Sequence, residues 1–427
     1  MTSVRLIAAA ACLVLVAGGA AAGSITGRIE VGSTPASVSM HSSSRTLYVV
    51  TDEGIAVVDV TSGDVVDSFT VTPPAEAVAL DLARHHLWVL KPHPRSGVRP
   101  GELSVLDASD GTEAESFITK AGPSAVGIDP RRGLVYLAAF DHGGVEVFDA
   151  ARLTRVRTLG GPEWADGKVG RPVDVVVDDK RGVALVSTTA GYLVKIRGTR
   201  VVAKKRVLSA YDDHLLALDR RNGLVYATQL DAGTVAEIRI KDLTRLRRFE
   251  PRHSPWDVAV DPRLGVLGVV THSNEATYFE SLDLESRKWL AHVETGPGGN
   301  DVATAPGGWS FYITDSFGEA ILVAPGEDNL PESVLEIGDD ATMSAGESFE
   351  GVSTDDRSGV ARVIVVFENE AETHEVTVTL SCTTSRRCTW TGEAPQTPGV
   401  YEVRTRATDT AGNTEIDANP TTVTVLP

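Results

Sequence analysis

The chain is written in short apolar runs. Between Gly122 and Leu159 the sequence GPSAVGIDPRRGLVYLAAFDHGGVEVFDAARLTRVRTL holds three β-branched-rich runs, Ala125–Ile128, Leu134–Phe140 and Val145–Phe148. A fourth, alternating run, Thr154–Leu159, follows. Asp-Pro-Arg-Arg-Gly, Asp-His-Gly-Gly and Asp-Ala-Ala-Arg-Leu separate them. Runs of about four to eight such residues, bounded by Gly, Pro and Asp, read as strands joined by tight turns. The fourth run is the most charged, as a solvent-facing edge should be. One copy of the pattern is therefore a four-stranded meander.

Seven copies align on the last residue of the first run: His41, Asp81, Asp129, Asp178, Asp219, Asp261 and Ala305, spaced 40 to 49 residues apart. Four of the turns that follow repeat Asp, a basic residue and Gly: Asp129–Gly133, Asp178–Gly182, Asp219–Gly223 and Asp261–Gly265. In such a hairpin Asp bonds backbone amides and Gly accepts the left-handed conformation that closes the bend. Four strands per repeat at a period of about 40–50 residues predict an all-β fold, a seven-bladed β-propeller. Ile25–Val31 looks like a fourth strand that can pair with the third strand of the last copy and close the ring. Val334–Ile337 competes for that place.

Tyr48-Val-Val-Thr-Asp52 and Tyr312-Ile-Thr-Asp315 resemble the Tyr-Val-Thr-Asn signature of YVTN (YncE-like) propeller repeats. Val57-Val-Asp-Val-Thr-Ser-Gly-Asp-Val-Val66 resembles that family's third strand, turn and fourth strand. Copies four and five keep the strand pattern and lose the Tyr-Val-Thr-Asn core. The resemblance implies seven blades and an extracytoplasmic or cell-surface setting. It implies no single activity, because one fold hosts many functions.

The tail changes character. Residues 331–427 carry 17 acidic against 6 basic residues. Val360–Phe367, Glu375–Leu380 and Val400–Ala407 alternate as sandwich strands. Pro398-Gly-Val-Tyr-Glu-Val and Ala407-Thr-Asp-Thr-Ala-Gly-Asn413 look like the closing hairpin of bacterial immunoglobulin-like domains, an antiparallel sandwich. Such domains usually act as spacers or adhesive modules. The expected division is 1–22 leader, 23–330 propeller and 331–427 immunoglobulin-like β-sandwich.

The leader reading rests on Arg5, the apolar Leu6–Val16 and the small residues Ala20-Ala21-Ala22, with cleavage after Ala22. No later run approaches the ~18 apolar residues of a membrane helix. The mature chain is thus expected to be secreted or held at the cell surface. Cys382 and Cys388 flank a polar turn and suit a disulfide across that hairpin. The formal net charge of −18 makes nucleic acid a poor partner.

Candidate chemistry lies where the first strands begin, because in a propeller these line the central channel. Four residues before each aligned position stand Ser37, Ala77, Ala125, Asp174, Leu215, Asp257 and Asp301. One residue earlier stand Ala36, Glu76, Ser124, Val173, His214, Trp256 and Asn300. Asp174, Asp257 and Asp301, with His214, Asn300 and Trp256 beside them, can bind a ligand, hold a divalent cation such as calcium, or act as acid and base. In the bland reading the carboxylates bond loop amides and Trp256 plugs the packing. No Gly-x-Ser-x-Gly elbow or His-Glu-x-x-His motif is present. The fourth runs of copies three to five are basic (Arg152, Arg155, Arg157; Lys204, Lys205, Arg206; Arg245, Arg247, Arg248). They read as edge protection or as a belt for an anionic envelope polymer. The leading expectation is a non-catalytic binding or scaffold protein that meets a protein or an envelope polymer at the propeller rim. The alternative is a metal-assisted propeller hydrolase, lactonase or lyase with its site at the channel mouth.

Overall fold

Every copy becomes one four-stranded antiparallel sheet. The computed structural model describes residues 25, 27–41, 46–60, 62–72, 74–91, 100–165, 167–274, 276–304, 310–325, 332–335, 341–354, 360–369, 372–384, 387–409 and 421–427. The leader expected over 1–22 lies outside them. The chain divides into two units, Met1–Gly326 and Glu327–Pro427.

Blade one consists of Pro35–His41, Thr46–Thr51, Gly54–Asp59 and Asp64–Thr70. Blades two to six follow over 77–121, 123–160, 172–206, 216–249 and 254–296. Blade seven takes three strands from 299–325, and Gly27–Glu30 completes it by pairing with Ala320–Val323. The early strand therefore closes the ring. Its competitor begins in Glu332–Leu335, which pairs with Ser348–Thr354 in the second unit instead.

The second and third strands of each blade are covered on both faces; Leu134–Ala139 and Gly144–Asp149 are buried along most of their length. The covering comes from the neighbouring blades. Val50 and Ile55 of blade one pack with Val78 and Leu87 of blade two, and each later pair of blades builds a similar cluster. Ile29, Leu47, Val58 and Ile321 form the cluster where blades seven and one meet. Each fully buried Val, Leu or Ile contributes about 1.5–3 kcal/mol, so the ring is held by seven inter-blade cores. The fourth strands of blades one, three, four and five are largely exposed, as in Thr154–Gly160 and Arg200–Arg206.

The repeated Asp-basic-Gly turn ties one blade to the next. Asp178 accepts the Arg181 amide at 3.0 Å and its guanidinium Nη1 at 2.7 Å. The same Nη1 donates to the carbonyl of Arg220 in blade five at 2.9 Å. Arg132 does likewise with Asp129 and the Asp179 carbonyl. Gly182 has a φ of +65°, and a Cβ there would lie 2.3 Å from the Arg132 guanidinium carbon. Glycine is thus needed for the left-handed bend and for the neighbour's arginine lying across it.

The second unit has two sheets. One has the strand order 332–335, 348–354, 387–393, 379–384. The other runs 341–344, 421–426, 399–409, 360–368, 373–377, with its first pair parallel. Phe349 and Trp390 from the first sheet and Val363, Phe367 and Tyr401 from the second share one core. Cys382 and Cys388 face each other across adjacent strands and form a disulfide.

Candidate functional site

Inner strands from all seven blades begin around one cavity of about 650 Å³, the mouth of the central channel. Five of these strands start with a bulge, an extra residue that the partner strand does not match. The register skips Ala36, Ser124, Trp256, the pair Val173–Asp174 and the pair Asn300–Asp301. A bulge re-aims the side chain it carries. It delivers Asp174, Trp256, Asn300 and Asp301 to the cavity wall, and Asp257 follows immediately after.

The three aspartates do structural work there. The Val302 amide donates to Asp257 Oδ2 at 2.8 Å, and the Val38 amide to Asp301 Oδ2 at 2.9 Å. The Leu216 amide donates to Asp174 Oδ2 at 2.8 Å, and Val175 N–H to its Oδ1 at 2.6 Å. Each carboxylate thus pins the inner strand of the following blade. Asn300 Nδ2 donates to Ser316 Oγ at 2.7 Å, and Ser316 Oγ to the Pro35 carbonyl at 2.9 Å, which links blades seven and one.

Their electrostatics are less settled. Burial pushes Asp174 up to about 6, and the Asp301 charge adds to it. Asp257 is held well above the usual carboxylate range by burial and by the Asp301 charge beside it. Among the described residues no three His, Cys, Asp or Glu side chains group closely enough to hold a metal ion.

His214 does not reach the mouth. Blade five starts its inner strand only at Leu216, without a bulge, and the imidazole turns inward. It is fully buried, with Nδ1 2.7 Å from the Thr228 carbonyl and Nε2 3.2 Å from the Ser209 carbonyl. Trp256 departs from the packing reading in the opposite sense. The bulge leaves it 39% exposed, stacked on His272 with ring centroids 5.1 Å apart and planes 7° from parallel. His272 is itself tied to the Gly299 carbonyl at 2.9 Å.

Glu76 also lines the cavity, and burial raises its pKa. It holds the same register position as His214, Trp256 and Asn300, so the alignment contained it. The stack of His253, Tyr278 and His292 on blade six left no comparable signal. It brings together residues from three segments of that blade.

No family model matches the chain, and no curated protein matches it. Among solved structures, the chain is similar to the β-propeller domain of Cps50 (Swd1) from Myceliophteria thermophila. The identity is 14%, the TM-score 0.60, and the match covers 70% of this chain and 98% of that one. The WD40 domain of Neurospora crassa Pan2 aligns at 12% identity and a TM-score of 0.53, covering 69% of this chain and 90% of that one. The first unit shares the β-propeller fold of these domains. At these identities the likeness concerns the fold alone.

The outer wall is the second feature of note. Blades one and two expose Asp64, Asp67, Glu113 and Glu115 on their fourth strands. Blades four and five expose Lys204, Lys205, Arg206, Arg245, Arg247 and Arg248. A groove of about 560 Å³ holds Lys205, Arg206 and Arg245; one of about 660 Å³ holds Arg247, Arg248, Arg287 and a single acidic residue, Glu250. Arg247 lies 3.5 Å from the buried Glu237, and Arg245 donates to the Val207 carbonyl at 3.0 Å. In blade three the belt is partly consumed: Arg152 pairs with Asp149 at 2.7 Å and Arg155 with Glu146 at 2.6 Å.

Proposed function

We propose that this chain is an exported, non-catalytic binding protein whose propeller wall at blades four to six holds an anionic polymer of the cell envelope. The carrying observation is the polarity of that wall. On a chain of net charge −18, one stretch of outer edge gathers adjacent cationic grooves while blades one and two present acid. Edge protection needs only a scattered charge on each blade. A contiguous field of one sign attracts a polyanion and releases its counterions.

The binding role accords with the WD40-like fold, whose solved neighbours include the propeller domains named above. We read the propeller as YVTN (YncE-like), on the Tyr-Val-Thr-Asp motifs of blades one and seven. We read the second unit as an immunoglobulin-like sandwich that spaces or displays the propeller. Its strand order supports this, and so does Tyr401, whose hydroxyl donates to the Thr397 carbonyl at 3.0 Å, as in a tyrosine corner.

The test is surface plasmon resonance of the full chain against poly(glycerol phosphate), with dextran as the neutral control. Binding should weaken steeply as salt rises. Changing Lys204, Lys205 and Arg206 to Ala together should weaken it at least ten-fold at low salt and flatten the salt slope. Binding indifferent to salt or to this triple change would remove the proposal. Export is checked separately, by recovery of a mature chain starting after Ala22 outside the cytoplasm.

One feature favours the hydrolase or lyase alternative: Asp257, held above the usual carboxylate range beside Asp301 on the cavity wall, suits acid–base chemistry. Both carboxylates already accept a backbone amide of the next blade, which weighs toward the structural role. An ester or lactone screen in which D257N abolished turnover would restore the enzyme reading.

A further inference from the structure

The channel mouth lacks a countercharge. Four carboxylates line it, Glu76, Asp174, Asp257 and Asp301, and no lysine or arginine is among the described residues that do. Placing like charges together at a poorly hydrated wall is costly unless a cation answers them. Burial raises the affinity of Glu76, Asp174 and Asp257 for a proton, and the Asp301 charge adds to it at Asp174 and Asp257. Elsewhere on the inner strands the answer is built in: Asp129 and Asp178 each carry an arginine. At the mouth no lysine or arginine among the described lining residues does the same for Asp257 and Asp301.

An independent feature occupies the same wall. Trp256 stands in the cavity lining with over a third of its surface open, held flat by His272 behind it. A large aromatic with one face backed and the rest open to a cavity is a platform for a flat or cationic group. Ser124 Oγ, in blade three and also lining the cavity, has no hydrogen-bond partner.

We propose that the mouth receives an organic cation, the guanidinium of an arginine presented by a protein segment, stacked on Trp256 and hydrogen-bonded to the Asp257–Asp301 pair. A guanidinium is planar and weakly hydrated, and its fork donates to two acceptors at once. It needs only the carboxylate oxygens that the amides of Val302 and Val38 leave over. A divalent metal needs more ligands than the described residues group here. The cavity of about 650 Å³ exceeds one side chain, so residues flanking the arginine enter with it.

Saturation-transfer NMR of the full chain would compare Ac-Gly-Arg-Gly-NH2, Ac-Gly-Gln-Gly-NH2 and methyl glucoside. The arginine peptide should bind at least ten-fold more tightly than the glutamine peptide. W256A should weaken it at least five-fold. The double change D257N/D301N keeps an oxygen for each backbone amide and should weaken it at least ten-fold. Should that double variant fail to fold, W256A still decides the matter, since its side chain is exposed. Equal binding of the two peptides, arginine binding unchanged in W256A, or saturation by methyl glucoside without arginine would each overturn the proposal. Binding of poly(glycerol phosphate) should be unaffected by W256A, which keeps this test separate from that of the outer wall.

Discussion

Asp174 and Asp178 stand on one inner strand of blade four and meet opposite surroundings. Asp178, at the turn, is fully buried and salt-bridged to Arg181 at 2.7 Å. Asp174, at the channel mouth, receives only backbone amides and faces the Asp301 charge. Both reach the next blade, Asp178 through Arg181 and the Arg220 carbonyl, Asp174 through the Leu216 amide. A carboxylate that brings its own guanidinium belongs to the fold. One that holds its place without a cation leaves unbalanced charge, and unbalanced charge on a cavity wall is what a ligand can meet.

The sharpest break of this comparison is Asp178→Ala. It takes the acceptor from the Arg181 amide and frees the Arg181 guanidinium that reaches blade five, and should cost about 3 kcal/mol, measured by denaturant unfolding of the full chain. Next comes Gly182→Ala. It meets both the left-handed backbone and the Arg132 guanidinium, for an expected loss of about 2 kcal/mol in the same assay. Asp174→Ala should cost less, about 1 kcal/mol at neutral pH. Leaving the Leu216 amide unpaired is costly, but relieving a buried charge offsets part of it. Equal losses for the alanine variants at 174 and 178 would erase the distinction between the two ends.

Asp174→Asn sharpens the comparison through pH. With its folded pKa raised to about 6, Asp174 binds a proton more readily in the folded than in the unfolded chain. Its contribution is therefore fully present below the usual aspartate pKa of about 4 and is lost as pH rises through about 6. Thermal melting of the wild type minus that of Asp174→Asn should decline across this interval and stay level above it. Asparagine keeps an oxygen for the Leu216 amide, so the variant should melt no lower at pH 7.5. A difference that does not change with pH would show that Asp174 carries no strained charge.

The blades were legible because their cause is local. Alternation, turn residues and a repeat of 40 to 49 residues placed every inner-strand end, from His41 to Asp261, where the structure has it. The use of the turns was not legible. Arg132 acts on a glycine of the following blade, and nothing at either position announces the other. At the mouth, Asp174, Asp257 and Asp301 were found by register alone. The same register set Trp256 at the mouth correctly and misplaced His214, because a bulge cannot be seen in an alternating pattern. It turns Trp256 outward in blade six, and its absence leaves His214 under the Thr228 carbonyl in blade five.

The closing strand has a consequence for how this molecule is made. Gly27–Glu30 precedes every blade, yet its partner, Ala320–Val323, follows all the others. Arg28 salt-bridges Asp315 at 3.0 Å across 287 positions of chain. During synthesis the earliest strand must wait, unpaired, until almost the whole first unit exists. Contacts of such long range are slow to form, and until they form blades one and seven each lack a neighbour. The ring is a clasp, and its two halves are the first and last things the ribosome writes of it. A cut that removes either half opens the same joint, so injuries nearly 300 residues apart should produce one and the same loosened molecule.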